Sequence, residues 1–207
     1  MSWSRAWHEL GAPANPSELS RPATPRRAYR PRHHGVPMPA VHRYRTTVRW
    51  TGNLGEGTAT YRGYRRDHTI EIDGKPVILG SSGLSAGSDP HRHNPEDLLV
   101  GALSACHMLW YLHLCAEAGV SVASYTDEAE GTMEVGPDGG GRFVSAVLHP
   151  HVVLERGSVA LARSLHERAH ERCFIASSVN FPVTCEPRVE AEAGVGGRPP
   201  TGTDGPA

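Results

Sequence analysis

The stretch NPEDLLVGALSACHMLWYLHLCAEAG, Asn94 to Gly119, decides the fold of this 207-residue chain. Asn94 is a good N-cap, and Pro95 suits the first helical position. Glu96 and Asp97 sit where the positive end of a helix dipole favours carboxylates, and Gly119 supplies a stop. Between these signals, Leu98 to Ala116 runs nineteen residues without a formal charge. A helix that is apolar on every side has to be covered on every side. The run just reaches the length of a bilayer span. His107, His113, Ser104 and Gly101 inside it, and soluble-domain sequence on both flanks, point instead to a core helix with no membrane partner. One small sheet does not cover such a helix, so a second subunit is expected to do so, in an obligate homodimer.

Upstream, His42–Trp50 and Gly57–Tyr64 have strand character. His68–Asp73 alternates Ile70 and Ile72 with polar residues ahead of an Asp73-Gly74 turn. Gly80 to His93, rich in Gly, Ser and His, reads as a loop. Downstream, strands are expected over about 120–134 and about 142–154, joined by the turn GPDGGG. No helix follows that turn, so it is a hairpin and not a phosphate cradle. A second helix over about 158–172 places Val159, Ala162, Leu165 and Ala169 on one stripe. Phe181–Val189 reads as a last strand. Strands and helices segregated in this order argue for an α+β fold with mostly antiparallel sheets.

The two ends differ from this middle. Residues 1–40 hold seven prolines, and Met1 to Arg45 carries eight Arg against two Glu in a chain of net charge -1. Residues 191–207 are Gly/Pro-rich. Neither end has the apolar content that offsets ordering entropy, so both read as disordered and the folding unit as 41–190. Proline dilutes the arm's arginines, which favours a solvated extension over a nucleic-acid grip. The arm lacks the apolar core of a secretory signal. Four cysteines without dense spacing or a C-x-x-C then suggest a reducing cytoplasm, where a disulfide would be transient and catalytic.

The thiols raise the question of chemistry. Cys106 and Cys115 share a helix but lie about 13 Å apart along its axis on opposite faces, too far for a disulfide. Cys115 reads as packing, and Cys185 has no motif around it. Cys173, where the second helix ends, is the partner chosen for Cys106. Cys106 is too far into its helix for the N-terminus to stabilise a thiolate, so a reactive Cys106 needs an imported cation. The segment YRGYRRDH offers Arg62, Arg65 and Arg66, and Glu96 is able to hold a guanidinium bidentately. His107 points about 100° away from Cys106 and reads as a packed histidine. His91 and His93 lack a zinc-binding pattern.

These residues resemble the OsmC/Ohr family of thiol peroxidases. In that family an N-P-E turn opens the long helix and the peroxidatic cysteine follows ten residues after the glutamate, as Cys106 follows Glu96. The segment HERCFIASSVNFPV resembles the one holding the resolving cysteine, which here is Cys173. Thr58-Ala59-Thr60 followed by Arg66-Asp67 resembles the arginine loop, with Arg62 the competitor to Arg66. The resemblance covers about 42–190. It implies an OsmC-like fold, with mostly antiparallel sheets around a long buried helix in an intertwined homodimer. Cys173 is followed by Phe174-Ile175-Ala176 instead of the frequent Pro and Ser, and His107, Trp110 and Tyr111 enlarge the surface near Cys106. Both departures suggest an OsmC-like subgroup.

The function this implies is peroxidase chemistry on organic hydroperoxides. Cys106 would pass through a sulfenic acid to a disulfide with Cys173, and an external dithiol would recycle it. An arginine held by Glu96 would stabilise the leaving alkoxide. No metal, haem or flavin is required. The alternatives are a non-enzymatic binding protein of the same fold, with core cysteines and an apolar cleft, and a thiol redox sensor.

Overall fold

The computed structural model describes residues 40–83 and 85–192. Most of the N-terminal arm and of the C-terminal tail lies outside the described residues. Among the described residues, nine strands and two α-helices, with a short 3-10 turn at Ala176–Ser178, follow in the order β1 (Thr47–Trp50), β2 (His68–Glu71), β3 (Ile78–Gly80), α1 (Pro95–Glu117), β4 (Ser121–Asp127), β5 (Glu130–Val135), β6 (Gly141–Leu148), β7 (Pro150–Arg156), α2 (Val159–Arg172), β8 (Val183–Cys185) and β9 (Arg188–Ala191). They form three three-stranded sheets, β1-β2-β3, β4-β7-β9 and β5-β6-β8. The first is antiparallel throughout. Each of the others combines one antiparallel pair, β4 with β7 or β5 with β6, and one parallel pair, β7 with β9 or β6 with β8. The mostly antiparallel α+β expectation agrees with this.

Each of the three long strands expected after α1 is in fact two. The breaks fall after Asp127, at His149, and at Glu186-Pro187. In both resulting sheets the middle strand comes from the same stretch, Gly141–Arg156, with matching neighbours on each side. The two sheets are therefore one three-stranded ribbon folded across a corner. The corner is hydrogen-bonded from strand to strand. Asp127 Oδ1 accepts from the His149 N–H at 2.7 Å, the Glu186 N–H reaches the Leu148 carbonyl at 2.8 Å, and His149 Nδ1 lies 3.6 Å from the Glu186 carboxylate. Pro150 and Pro187 lack the N–H that would continue the ladder there.

The Gly57–Tyr64 strand is not formed. Asn53 Oδ1 accepts from the N–H groups of Gly55 and Gly57, both at 2.9 Å. Those two glycines take φ of 121° and 59°. Side-chain capture of backbone donors and left-handed glycines favour successive turns over a strand. The third strand of the first sheet is Ile78–Gly80, which the sequence reading left outside any strand.

The long helix begins and ends where its signals lie. Asn94 Oδ1 accepts from the Asp97 N–H at 2.6 Å. Gly119 takes φ 71°, and the Val120 N–H returns to the Cys115 carbonyl at 2.9 Å. One face of α1 is buried through Leu103, His107, Trp110, Tyr111, Leu114 and Cys115. Gly101, Ala105 and Leu109 on another face are exposed in the protomer. The buried face packs on α2 and β4, and α2 packs in turn on β8 and β9. α2 starts at Ser158, whose hydroxyl accepts from the Leu161 N–H, and buries Ala162, Leu165, His166 and Ala169. Leu103, Ala146 and Leu148 form a core patch joined by Phe181, Val183 and Cys185.

Asp127 ties this arrangement together, because its Oδ2 also accepts from Ser104 Oγ on α1 at 2.6 Å. Asp127→Ala removes both acceptors and should cost about 3 kcal/mol in chemical denaturation. Asp127→Asn, which keeps one acceptor oxygen, should lose less than half of that. Equal losses would show that the corner does not depend on these two bonds.

Candidate functional site

Cys106 and Cys173 meet where α1 and the C-terminus of α2 come together. Cys173 is the C-cap residue of α2, with extended backbone at φ -66° and ψ 111°. Its thiol is buried and Cys106 is half-buried. The Ala176 N–H points at Cys173 Sγ at 3.4 Å, which fixes the sulfur in the turn after α2. Burial pushes the Cys173 thiol up to about 12. The Ala176 N–H opposes that rise, and a hydrogen bond to Cys106 adds to it. All four cysteines are free thiols.

Apolar surface adjoins the pair. Leu109, one turn beyond Cys106, is 44% exposed and Phe174, next to Cys173, is 56% exposed. Phe174 meets Trp110 edge-on at 5.6 Å. Arg172, immediately before Cys173, holds its guanidinium 5.5 Å from the Trp110 ring centre. Trp110 is one turn from Cys106, so Arg172 is a cation on that side of α1 which the sequence reading passed over.

The expected arginines are placed elsewhere in the protomer. Arg66 donates to the carbonyls of Tyr64 at 2.9 Å and Tyr61 at 3.0 Å. Its guanidinium lies over both tyrosine rings, at 4.6 Å and 4.1 Å. Arg62 and Arg65 are exposed. Among the described residues no ion pair joins Glu96 to any arginine. Ten residues of helix put Glu96 about 15 Å from Cys106 along the axis. One arginine therefore cannot touch both groups within one chain.

What does hold the arginine loop is a network that sequence reasoning missed. Asp67, 7% exposed, accepts from Ser81 Oγ at 3.3 Å. Arg92 Nε lies 3.2 Å from Asp89 and 4.0 Å from Asp67. The Arg66 N–H donates to the Gly87 carbonyl at 3.2 Å, and the Ser81 N–H to that of His93 at 2.9 Å. The loop that precedes α1 and the loop that carries Arg66 thus form one hydrogen-bonded body.

A second cluster lies behind the thiol pair. His107 Nε2 and His166 Nδ1 are 3.0 Å apart. Cys185 Sγ lies 3.6 Å from the first and 3.9 Å from the second. The Tyr111 ring stacks on His166 at 3.8 Å. Burial lowers His107 to about 4, with His170 adding to the shift and Asp127 opposing it. Burial lowers His166 to about 3, with His107 adding to it. Burial, then the Asp127 and Glu186 carboxylates, push the Cys185 thiol up to about 12. All three groups are uncharged at neutral pH. Their separations of 59, 78 and 19 residues leave no local signal from which the cluster could be read.

Both histidines titrate lower in the folded protein than their ordinary value of 6.5. The unfolded chain therefore binds protons first, and stability is full above pH 6.5 and falls as the pH drops towards 4. Two protons give a limiting slope of about 2.7 kcal/mol per pH unit. Urea denaturation between pH 7 and 4.5 should show this fall, and His166→Gln should roughly halve its slope. A flat profile in the unmodified protein would mean that the pair is already protonated or accessible when folded.

Comparison with known proteins agrees with the fold. The model of the OsmC-like protein family matches residues 87–188. An OsmC-like protein of unknown function from Vibrio cholerae O1 biovar eltor is 33% identical, with a TM-score of 0.64 over 71% of this chain and 99% of that one. The uncharacterized protein YmaD of Bacillus subtilis is 28% identical over 108 residues, which are 50% of this chain and 70% of YmaD. An organic hydroperoxide resistance protein from Elizabethkingia anophelis is 17% identical, with a TM-score of 0.53 over 74% of this chain and 99% of that one, a likeness of fold alone. With its long cysteine-bearing helix, its corner-folded ribbon and these matches, the chain belongs to the OsmC-like family.

Proposed function

We propose that this protein is a thiol-dependent peroxidase that reduces organic hydroperoxides in a reducing cytoplasm. The observation that supports this reading is the hydrogen-bonded Cys106–Cys173 pair, with one thiol half-buried and the other buried. The Cys106 thiolate attacks the outer oxygen of ROOH. The O–O bond breaks, the leaving RO⁻ takes a proton to become the alcohol, and Cys106 becomes a sulfenic acid. Cys173 loses its proton and attacks that sulfur. Water leaves and a Cys106–Cys173 disulfide remains, which an external dithiol reduces by exchange. The apolar surface at Leu109 and Phe174 suits an organic substituent better than a bare peroxide.

The cation that this chemistry needs would come with a second subunit. Gly101, Ala105 and Leu109 on α1 are exposed, and so are Val48, Trp50 and Leu79 of the first sheet. Soluble monomers rarely leave large apolar side chains of a core helix and a sheet uncovered together. In a homodimer packed across that face, Glu96 of one copy would hold Arg66 or Arg62 against Cys106 of the other. That arrangement removes the 15 Å problem of a single helix, about ten residues at 1.5 Å each.

One equivalent of an organic hydroperoxide should convert reduced protein to the Cys106–Cys173 disulfide, read by peptide mapping without reductant. Cys173→Ser should stop at a sulfenic acid that a dimedone-type reagent traps. If the peroxide leaves both thiols free, the peroxidase reading is lost and the binding-protein reading replaces it.

Glu96→Gln and Cys106→Ser should each lower peroxidase turnover by about 100-fold or more, because each removes a group that supports the developing charge or the nucleophile. Mixing the two variants under subunit exchange should restore activity, since one site of each mixed dimer is intact. No restoration, together with loss of turnover in Arg172→Ala, would place the activating cation within the chain.

A further inference from the structure

The peroxidase reading makes no use of His107, His166 or Cys185. They come from three separate elements, α1, α2 and the end of β8, yet their donor atoms all lie within 4.8 Å of one another. His107 is 0% and His166 3% exposed. As hydrogen-bonded packing the cluster is poor. The outward nitrogens, His107 Nδ1 and His166 Nε2, are buried without a hydrogen-bond partner. Tyr125 Oη is likewise buried without one. Each such group costs about 1–3 kcal/mol, so the hydrogen bond between the two rings gives the cluster little net stability as packing.

The three inward atoms have the spacing of a ligand set. Three atoms separated by 3.0, 3.6 and 3.9 Å lie on a circle of radius about 2.1 Å, close to the bond lengths of a metal with imidazole and thiolate ligands. Two imidazoles and one thiolate are the ligand set of a borderline-to-soft cation, and disfavour magnesium or calcium. The charges suit it as well. A divalent ion would meet one ligand thiolate and the Asp127 carboxylate, whose charge reaches both His107 and Cys185. We propose that His107, His166 and Cys185 form a buried site for a thiophilic closed-shell cation, zinc(II) or copper(I).

Binding replaces the proton now shared between the two rings. The ring that donates this proton moves it to its outward nitrogen, the other ring already carries its own there, and the Cys185 thiol gives up its proton. One proton is therefore released per metal bound, with no change of oxidation state. The ion would join α1, α2 and β8 directly beneath the helix that carries Cys106. Cys185, the least buried of the three, marks the side of entry.

The test uses the full chain, reduced and stripped of metal, and its Cys106→Ser/Cys173→Ser variant, in which the peroxidatic thiols cannot compete. Each is titrated with zinc(II) against a chromophoric chelator and with copper(I) against bathocuproine, and cobalt(II) serves as the spectroscopic probe. We expect one equivalent per chain, one proton released in weak buffer, and a thiolate-to-cobalt charge-transfer band, in both proteins. The tighter arm identifies the ion. Cys185→Ser should abolish the band and weaken binding at least tenfold, and His166→Gln should weaken it comparably. Should these variants fail to fold, protection of Cys185 from alkylation by the bound metal in the unmodified chain decides. The proposal is overturned by no saturable uptake in either arm, by binding that is lost with Cys106 and Cys173, or by binding indifferent to Cys185. These readouts are independent of peroxide turnover, so failure here and failure of the peroxidase reading are distinguishable.

Discussion

The Asp127 carboxylate holds the position of everything else in this fold. An ionised carboxylate offers acceptors only, and here it meets two donors from two different elements, the His149 N–H and the Ser104 hydroxyl. The first bond closes the corner across which the ribbon folds. The second fixes α1 against that corner. A flat three-stranded ribbon of this length would offer the helices one face of one sheet. Bent at Asp127, His149 and Glu186-Pro187, it becomes two short sheets, and α1 and α2 lodge against them through β4, β8 and β9.

The packing of α1 on α2 then separates two kinds of chemistry on neighbouring residues. Cys106 and His107 are adjacent in sequence and about 100° apart around the helix. Cys106 turns to the half-buried end of α2, where it meets Cys173 with apolar side chains beside it. His107 turns into the core and meets His166 and Cys185. Burial acts on both sites but leaves them in different states. At the thiol pair it pushes the Cys173 thiol, the more buried of the two, well above its ordinary value. In the core it holds two imidazoles neutral and a thiol protonated.

Much of this was legible because the signals are local. The limits of α1 follow from Asn94, Pro95 and Gly119, whose effects reach one turn of chain. The stripe of α2 follows from helical periodicity, and Cys173 falls at its end. The single strands expected over 120–134, 142–154 and 181–189 failed at their middles, because propensity reports extended backbone and not where a ribbon bends. That bend is set by a carboxylate and two prolines acting across strands. The Gly57–Tyr64 segment has the Thr and Tyr of a strand, but Asn53 and two left-handed glycines hold it in turns.

The sequence by itself determined the long uncharged helix, its caps and the second helix with Cys173 at its end, since each depends on residues within a few turns. Only the tertiary structure decided that Arg66 is taken up by Tyr61 and Tyr64 within its own loop. It also decided that Asp67, Ser81, Asp89 and Arg92 bind two loops together, and that His107, His166 and Cys185 converge. These contacts join side chains brought close by the corner of the ribbon and the crossing of two helices. Their separations along the chain carry no period and no motif, so they exist only once the chain has packed.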